Sequence, residues 1–286
     1  MVASSSAIPA EKDIDLHQLN SGQTSVPPRY VFVGGLHRSG TSLVASLIAA
    51  APGVAAIASA PVPEQEGVYL QGAIPHTARH GIPGSFALDP AQHLTEASAC
   101  NRHEVAQRIA AEWAPWFVPA DAPLRVEKSP VNLLRARLYQ QLFPTSLFVF
   151  VVRHPLAVAR ATAKWSVSDE AALLDHWEAA HALLLGDLPF LHNYLVLRYE
   201  DLASDSTHEI ARLSAFLGVA LPAPDAPIAN RNRDYAGPPA AAAGPVARRF
   251  GYGDDPLALA PPQVAMGAHY FRSALAGMAH RDAAGR

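Results

Sequence analysis

Six consecutive apolar residues, Leu147-Phe148-Val149-Phe150-Val151-Val152, stop abruptly at Arg153-His154-Pro155. A short run of Val and Phe with no polar alternation reads as a strand buried on both faces. Strands of that kind belong to mostly parallel sheets covered by helices on each side. Proline at the favourable first turn starts a helix at Pro155, so the segment reads strand–Arg–helix. The rest of the chain repeats the alternation. Tyr30–Val33, Leu124–Glu127 and Tyr194–Arg198 read as further strands. Helical spacing follows over about 41–51, from the capping-box pattern Asn101-Arg102-His103-Glu104 to Trp113, from Pro130 to Leu142, over 169–185 and over 207–217. The fold class is α/β.

Composition narrows the function. With 286 residues, 50% hydrophobic and 16% charged, the chain is neither disordered nor a coiled coil nor a disulfide-stapled miniprotein. One cysteine, Cys100, cannot form an internal disulfide or a cysteine zinc cluster. The 13 histidines include no H-E-x-x-H or H-x-H pair, so no metal site is expected. A net charge of −3 gives no support to nucleic-acid binding; an anionic ligand must be held by a local cluster. Residues 1–28 are polar, end in Pro27-Pro28 and read as a flexible arm ahead of one domain over 29–286. No apolar run has the character of a signal peptide or a membrane span, so a soluble, cytoplasmic protein with no membrane partner is expected. Residues 52–100 carry many Pro and Gly with little periodicity, which marks a lid or binding loop. Residues 219–262 read mostly as loop, and 262–280 as one closing helix.

The segment Gly34-Gly35-Leu36-His37-Arg38-Ser39-Gly40-Thr41-Ser42 lies between a strand and a helix. Free N–H groups and the helix dipole there make an anion site. Gly35, Gly40 and Ser42 fit the frame G-x-x-x-x-G-K-[ST], but Thr41 stands at the lysine position. Without that lysine, ATP hydrolysis is disfavoured while the anion cradle survives, and Arg38 can supply the positive charge. Read from spacing alone, an ordinary glycine-rich turn with a surface arginine is the competing interpretation. Arg153 also falls at the carboxyl end of a strand, where open α/β sheets bind ligands; a simple strand-edge arginine is its bland alternative.

The loop, with its core R-S-G-T-S-L, resembles the 5′-phosphosulfate loop of sulfotransferases that use 3′-phosphoadenosine-5′-phosphosulfate (PAPS), above all the tyrosylprotein and bacterial members. The resemblance spans roughly 29–255 and implies a P-loop NTPase-like fold. It implies that the loop from His37 through Arg38, Ser39, Gly40, Thr41 and Ser42 holds the 5′-phosphosulfate. The strand–R-x-P pattern resembles the family's 3′-phosphate motif, giving Arg153 that ligand; Ala161 replaces the usual serine, with Thr162 or Lys164 as substitutes. Glu127-Lys128-Ser129-Pro130 is similar to the family's E-K-[TS]-P, implying that Lys128, with Arg38, stabilises developing charge. Arg248-Arg249-Phe250-Gly251-Tyr252-Gly253 loosely resembles the loop that closes over the nucleotide, which adds Arg249, and Leu197–Leu202 matches a structural L-R-Y-E-D-L.

A base is also required. The histidine used by cytosolic members falls at Pro130 here, so the glutamate of the tyrosylprotein relatives is the guide. Glu66 is preferred over Glu64 because Gly67 can bring it close to the acceptor, with His76, His80 and His37 below them. The expected activity is metal-free sulfuryl transfer from PAPS to a hydroxyl of a small molecule or glycan. The acceptor is expected to lie against the 60–100 loop and near Trp165 and Trp177. A P-loop-type nucleotide kinase or NTPase, and a non-catalytic nucleotide-binding protein, are the alternatives.

Overall fold

The computed structural model describes residues 27–75 and 83–269. Its centre is a seven-stranded sheet of order β3-β2-β4-β1-β5-β6-β7. The strands are β1 (Arg29–Gly34), β2 (Val54–Ile57), β3 (Phe117–Val118), β4 (Leu124–Lys128), β5 (Leu147–Val152), β6 (Asn193–Arg198) and β7 (Gly267–His269). The five inner strands run parallel, and the short edge strands β3 and β7 pair antiparallel.

The unbroken apolar runs resolve into two faces. In β1 and β5, Tyr30, Phe32, Phe148 and Phe150 point to one side and Val31, Val33, Val149 and Val151 to the other. The aromatic face is covered by α2 (His103–Trp113), α3 (Ala136–Leu142) and α5 (Glu170–Asp187), with Trp113, Tyr139 and Trp177 wholly buried there. The β-branched face is covered by α1 (Thr41–Ala49) and α7 (Ser206–Leu217). Large rings on one side and small branched chains on the other explain why helices pack closely on both without polar alternation in the strands.

Four sequence expectations change. β2 lies within the stretch read as irregular; its V-A-A-I sequence has weak β character, and it forms because Val54 and Ala56 register against Leu124 and Val126 of β4. Asn101 does not cap α2: Arg102 is the cap residue, and the Asn101 amide donates instead to the Glu96 carbonyl at 2.9 Å. The C-terminal segment does not begin as a helix, since Gly267–His269 adds β7 to β6, from Leu195 to Asn193. Trp177, expected near the acceptor, is core. The arm expected at residues 1–28, apart from Pro27 and Pro28, and the candidates His76 and His80 lie outside the described residues.

Because β1 is flanked by β4 and β5, the chain crosses over on both sides of it. The crevice at the carboxyl ends of these three strands is where a doubly wound sheet places its ligands.

Candidate active site

The crevice is a cleft of about 250 Å³. The β1–α1 loop lines it with His37, Arg38, Gly40, Thr41 and Ser42. The end of β4 adds Lys128 and Pro130, the end of β5 adds Arg153, and the 63–69 segment adds Glu64 and Glu66. Trp165, beyond α4 (Pro155–Thr162), closes one side.

Gly40 caps α1 in the left-handed region, φ 101°, and a Cβ there would sit 3.1 Å from the Tyr199 ring. Glycine therefore lets the first turn begin tightly against its surroundings. The turn leaves the N–H groups of Thr41 and Ser42 without helical acceptors. Ser39 is fully buried and its Oγ has no partner among the described residues. Arg38 takes a left-handed backbone, φ 67°, and its guanidinium lies 4.7 Å from the centre of the exposed Trp165 ring. His37 is held neutral: burial, and then the Lys128 charge, bring its pKa down to about 4.

Arg153 is built in from several directions. Its Nε donates to Asn232 Oδ1 at 2.9 Å and its Nη1 to the Arg38 carbonyl at 2.9 Å. The guanidinium lies 4.4 Å from the Tyr199 ring centre and 5.6 Å from that of Tyr235. Its Nη2 is buried with no partner among the described residues. Asn232 is itself fixed, since its Nδ2 donates to Glu200 Oε1 at 2.7 Å and to the Pro256 carbonyl at 3.0 Å. His154 is the cap of α4: Nδ1 accepts from Leu156 N–H and Nε2 donates to the Gly253 carbonyl, with burial bringing its pKa down to about 4.

Glu66 and Lys128 form a buried ion pair, Nζ to Oε1 2.9 Å, with Glu66 only 5% exposed. Burial pushes Glu66 up to about 7, against the pull of Lys128, while the neighbouring charges of Glu127 and Glu64 add to the rise. Glu64 is exposed and, with Gln65, holds left-handed backbone at φ 50° and 54°. Gln65 braces that turn through both its amide ends, to Ala60 N–H at 2.8 Å and the Ala60 carbonyl at 3.0 Å.

The remaining sequence candidates do not line the cleft. Thr162 is buried with a partnerless Oγ1 and borders a separate small cavity beside Leu36, His37, Gly84 and His176. Arg249 is exposed on the short helix Pro245–Arg249, whose following residues Phe250 and Tyr252 pack against Trp177. Lys164 lies 5.4 Å from the Tyr235 ring centre. The L-R-Y-E-D-L segment is structural as expected: Arg198 clasps Asp201 through two bonds of 2.7 and 2.8 Å. Its tyrosine does more, because Tyr199 backs both Gly40 and Arg153. Asn232 and Tyr235 were not legible, since they lie in a segment without periodicity and meet Arg153 only through the tertiary fold.

A mostly parallel sheet, with a glycine-bearing loop between β1 and α1 and an arginine just after β5, defines a P-loop NTPase-like α/β fold in which the usual lysine is missing. The sulfotransferase family model matches residues 28–223, and the chain belongs to that family; sulfuryl transfer is its class of chemistry. None of the curated proteins matches the chain. Among solved structures, it is similar to the sulfotransferase domain of the Synechococcus PCC 7002 olefin synthase. The identity is 20%, with 81% of this chain and 97% of that domain covered and a TM-score of 0.50, a likeness of fold. It is also similar to a Mycobacterium tuberculosis H37Rv sulfotransferase, at 18% identity, 70% coverage of each chain and a TM-score of 0.44. A sulfotransferase from Alicyclobacillus acidocaldarius is 14% identical, with 73% and 89% covered and a TM-score of 0.44. No helix among the described residues is long and apolar enough to cross a membrane.

Proposed function

We propose that the protein transfers the sulfuryl group of PAPS to a hydroxyl of a small-molecule or glycan acceptor, with Glu66 as base. The observation that carries this reading is the buried Glu66–Lys128 pair on the same cleft as the loop and Arg153. The cleft fits a donor with two separate anionic groups. The free N–H groups of the α1 turn and the partnerless Ser39 Oγ suit one, and the partnerless Arg153 Nη2 suits the other. Arg38, Ser39, Gly40, Thr41 and Ser42 would hold the 5′-phosphosulfate end and Arg153 the 3′-phosphate. When bound, PAPS supplies the sulfuryl group, which passes to the acceptor oxygen as adenosine 3′,5′-bisphosphate leaves.

Glu66, with a pKa near neutrality, takes the acceptor's hydroxyl proton. Lys128 has three N–H donors, one given to Glu66, and the others remain for the oxygen on which charge develops. Once Glu66 is protonated, the lysine's charge loses its internal partner. It is then available at the stage when the leaving oxygen becomes negative. Arg153 anchors the donor away from the reacting atoms, so its binding energy serves positioning.

Calorimetry with adenosine 3′,5′-bisphosphate and with Mg-ATP tests the donor, and labelled PAPS with an acceptor panel tests the transfer. Thr41 at the lysine position leads to much tighter binding of the bisphosphate. Equal or tighter binding of Mg-ATP would overturn the reading.

A further inference from the structure

Glu127 is a fully buried carboxylate that the chemistry above does not use. Its Oε1 accepts from the Gly67 N–H at 2.9 Å and from Ser129 Oγ at 2.5 Å, and its Oε2 from Asn132 Nδ2 at 2.6 Å. The Gly67 amide can only donate. Asn132 Nδ2 is assigned as the donor because the same atom faces the Val33 carbonyl at 3.1 Å; a flipped amide would set two oxygens against each other. Each oxygen of Glu127 therefore accepts from an N–H group, an arrangement that favours the ionised form against the burial. Burial raises its pKa, while Ser129, Asn132, Gly67 and then the Lys128 charge oppose that rise.

These bonds converge on the residues just after Glu66. Ser129 Oγ also accepts the Val68 N–H at 3.1 Å, and Trp113 Nε1 donates to the Gly67 carbonyl at 2.8 Å. Gly67 is thus gripped through both its N–H and its carbonyl. A Cβ there would fall 2.7 Å from Glu127 Cγ, so only glycine admits the carboxylate this close. Consecutive residues of β4 then hold consecutive residues of the 66–67 segment, Lys128 by the Glu66 side chain and Glu127 by the Gly67 backbone.

We propose that Glu127 is the positioning residue for Glu66, its buried negative carboxylate fixing Gly67 so that the Glu66 side chain is aimed into the cleft beside Lys128. The inference rests on the reading of Glu66 as base, but the placement it describes can be measured without turnover. The charged and titratable groups acting on Glu66 are Lys128, Glu127 and Glu64, and Glu66 in turn acts on Tyr69. His37 lies within the field of Lys128, and Tyr139 within that of Glu127.

The experiment is a carboxyl-carbon NMR titration of the full chain labelled at glutamate, with the Glu66 signal identified by its loss in Glu66→Gln. In Glu127→Gln one oxygen remains for Gly67 and Ser129, but the charge is gone and the new amide faces that of Asn132. The Glu66 titration should move to lower pH by about half a unit or more, because a neighbouring negative charge no longer opposes its ionisation. In transfer assays kcat should fall at least tenfold, while KM for PAPS and the affinity for adenosine 3′,5′-bisphosphate stay within about twofold. Glu127→Asp keeps the charge and should return the Glu66 titration toward that of the wild type.

An unmoved Glu66 titration in Glu127→Gln would overturn the proposal, as would bisphosphate affinity that falls in step with kcat. If Glu127→Gln does not fold, Ser129→Ala carries the test. It keeps the Glu127 charge but frees the Val68 N–H and one grip on the 66–68 segment, so Glu66 becomes better solvated and should titrate lower; an unmoved titration refutes the proposal. If the wild type transfers no sulfuryl group to any acceptor, the base assignment fails, while the titration still decides whether Glu127 holds Glu66.

Discussion

The base assignment makes a quantitative demand on the pH dependence of transfer. A carboxyl with its pKa near 7 is about one-tenth ionised at pH 6 and about nine-tenths at pH 8. If proton removal by Glu66 limits the chemical step, kcat/KM for the acceptor should rise roughly tenfold over that interval. A glutamate at the ordinary value would give a flat profile there. Glu66→Gln should lower kcat by about 10²–10⁴-fold, the usual range for a lost general base, and abolish the limb. Affinity for adenosine 3′,5′-bisphosphate should hardly change, and Glu64→Gln, altering an exposed side chain, should cost far less. The same shift has a consequence for stability. The folded protein binds the Glu66 proton more tightly than the unfolded chain, so this group's contribution is full below about pH 4.5 and is lost as pH rises through about 7. Rates measured from pH 5.5 to 8.5, with chemical denaturation at the same pH values, check both. A flat rate profile in the wild type refutes the titrating base, and full turnover in both glutamine variants places the base elsewhere, with His37 the next residue to replace.

Arg153→Ala should weaken adenosine 3′,5′-bisphosphate by about 1.5–3 kcal/mol, the scale of a hydrogen bond to a charged group. Adenosine 5′-phosphosulfate, which lacks the 3′-phosphate, should lose little; equal losses by calorimetry would make Arg153 structural. Lys128→Met removes the cation that draws the Glu66 pKa down, so residual transfer should have its acid midpoint above about 7 as well as a lower kcat. An unmoved midpoint would break the coupling assigned to the pair. The His154 ring should remain neutral by NMR until about pH 4. Because that pKa lies below the unfolded value, His154 costs stability as pH falls from about 6.5 to 4, on the order of 1.4 kcal/mol per pH unit, and His154→Asn should flatten the slope.

Legibility in the sequence divided along a physical line. The buried strands β1, β5 and β6 were readable because each must be apolar on both faces, a demand that a local run of Val, Leu and Phe meets by itself, whereas β4 offered only Leu124 and Val126 between charged residues. The loop after β1 was readable because close approach at Gly40 restricts residue type locally. β2 was hidden because two alanines suffice where the neighbouring strand supplies the register. The surroundings of Arg153 were hidden for a different reason: Asn232 and Tyr235 come from irregular chain, and nothing local dictates an asparagine or a tyrosine there.

Glu66 is the most instructive position, since the sequence favours it over Glu64 on the ground that Gly67 can bring it close to the acceptor. The glycine is instead gripped at both its polar groups, and its missing Cβ makes room for Glu127. Exposure also separates the two glutamates: Glu64 lies in solvent, while Glu66 is buried against Lys128. A flexible glycine would leave a carboxylate solvated, with its pKa near the ordinary value, whereas a clamped one keeps it desolvated and near neutrality. The chemical difference between two glutamates two residues apart is therefore set by a buried third one. Sequence spacing cannot express that relation, because 60 positions separate Gly67 from Glu127.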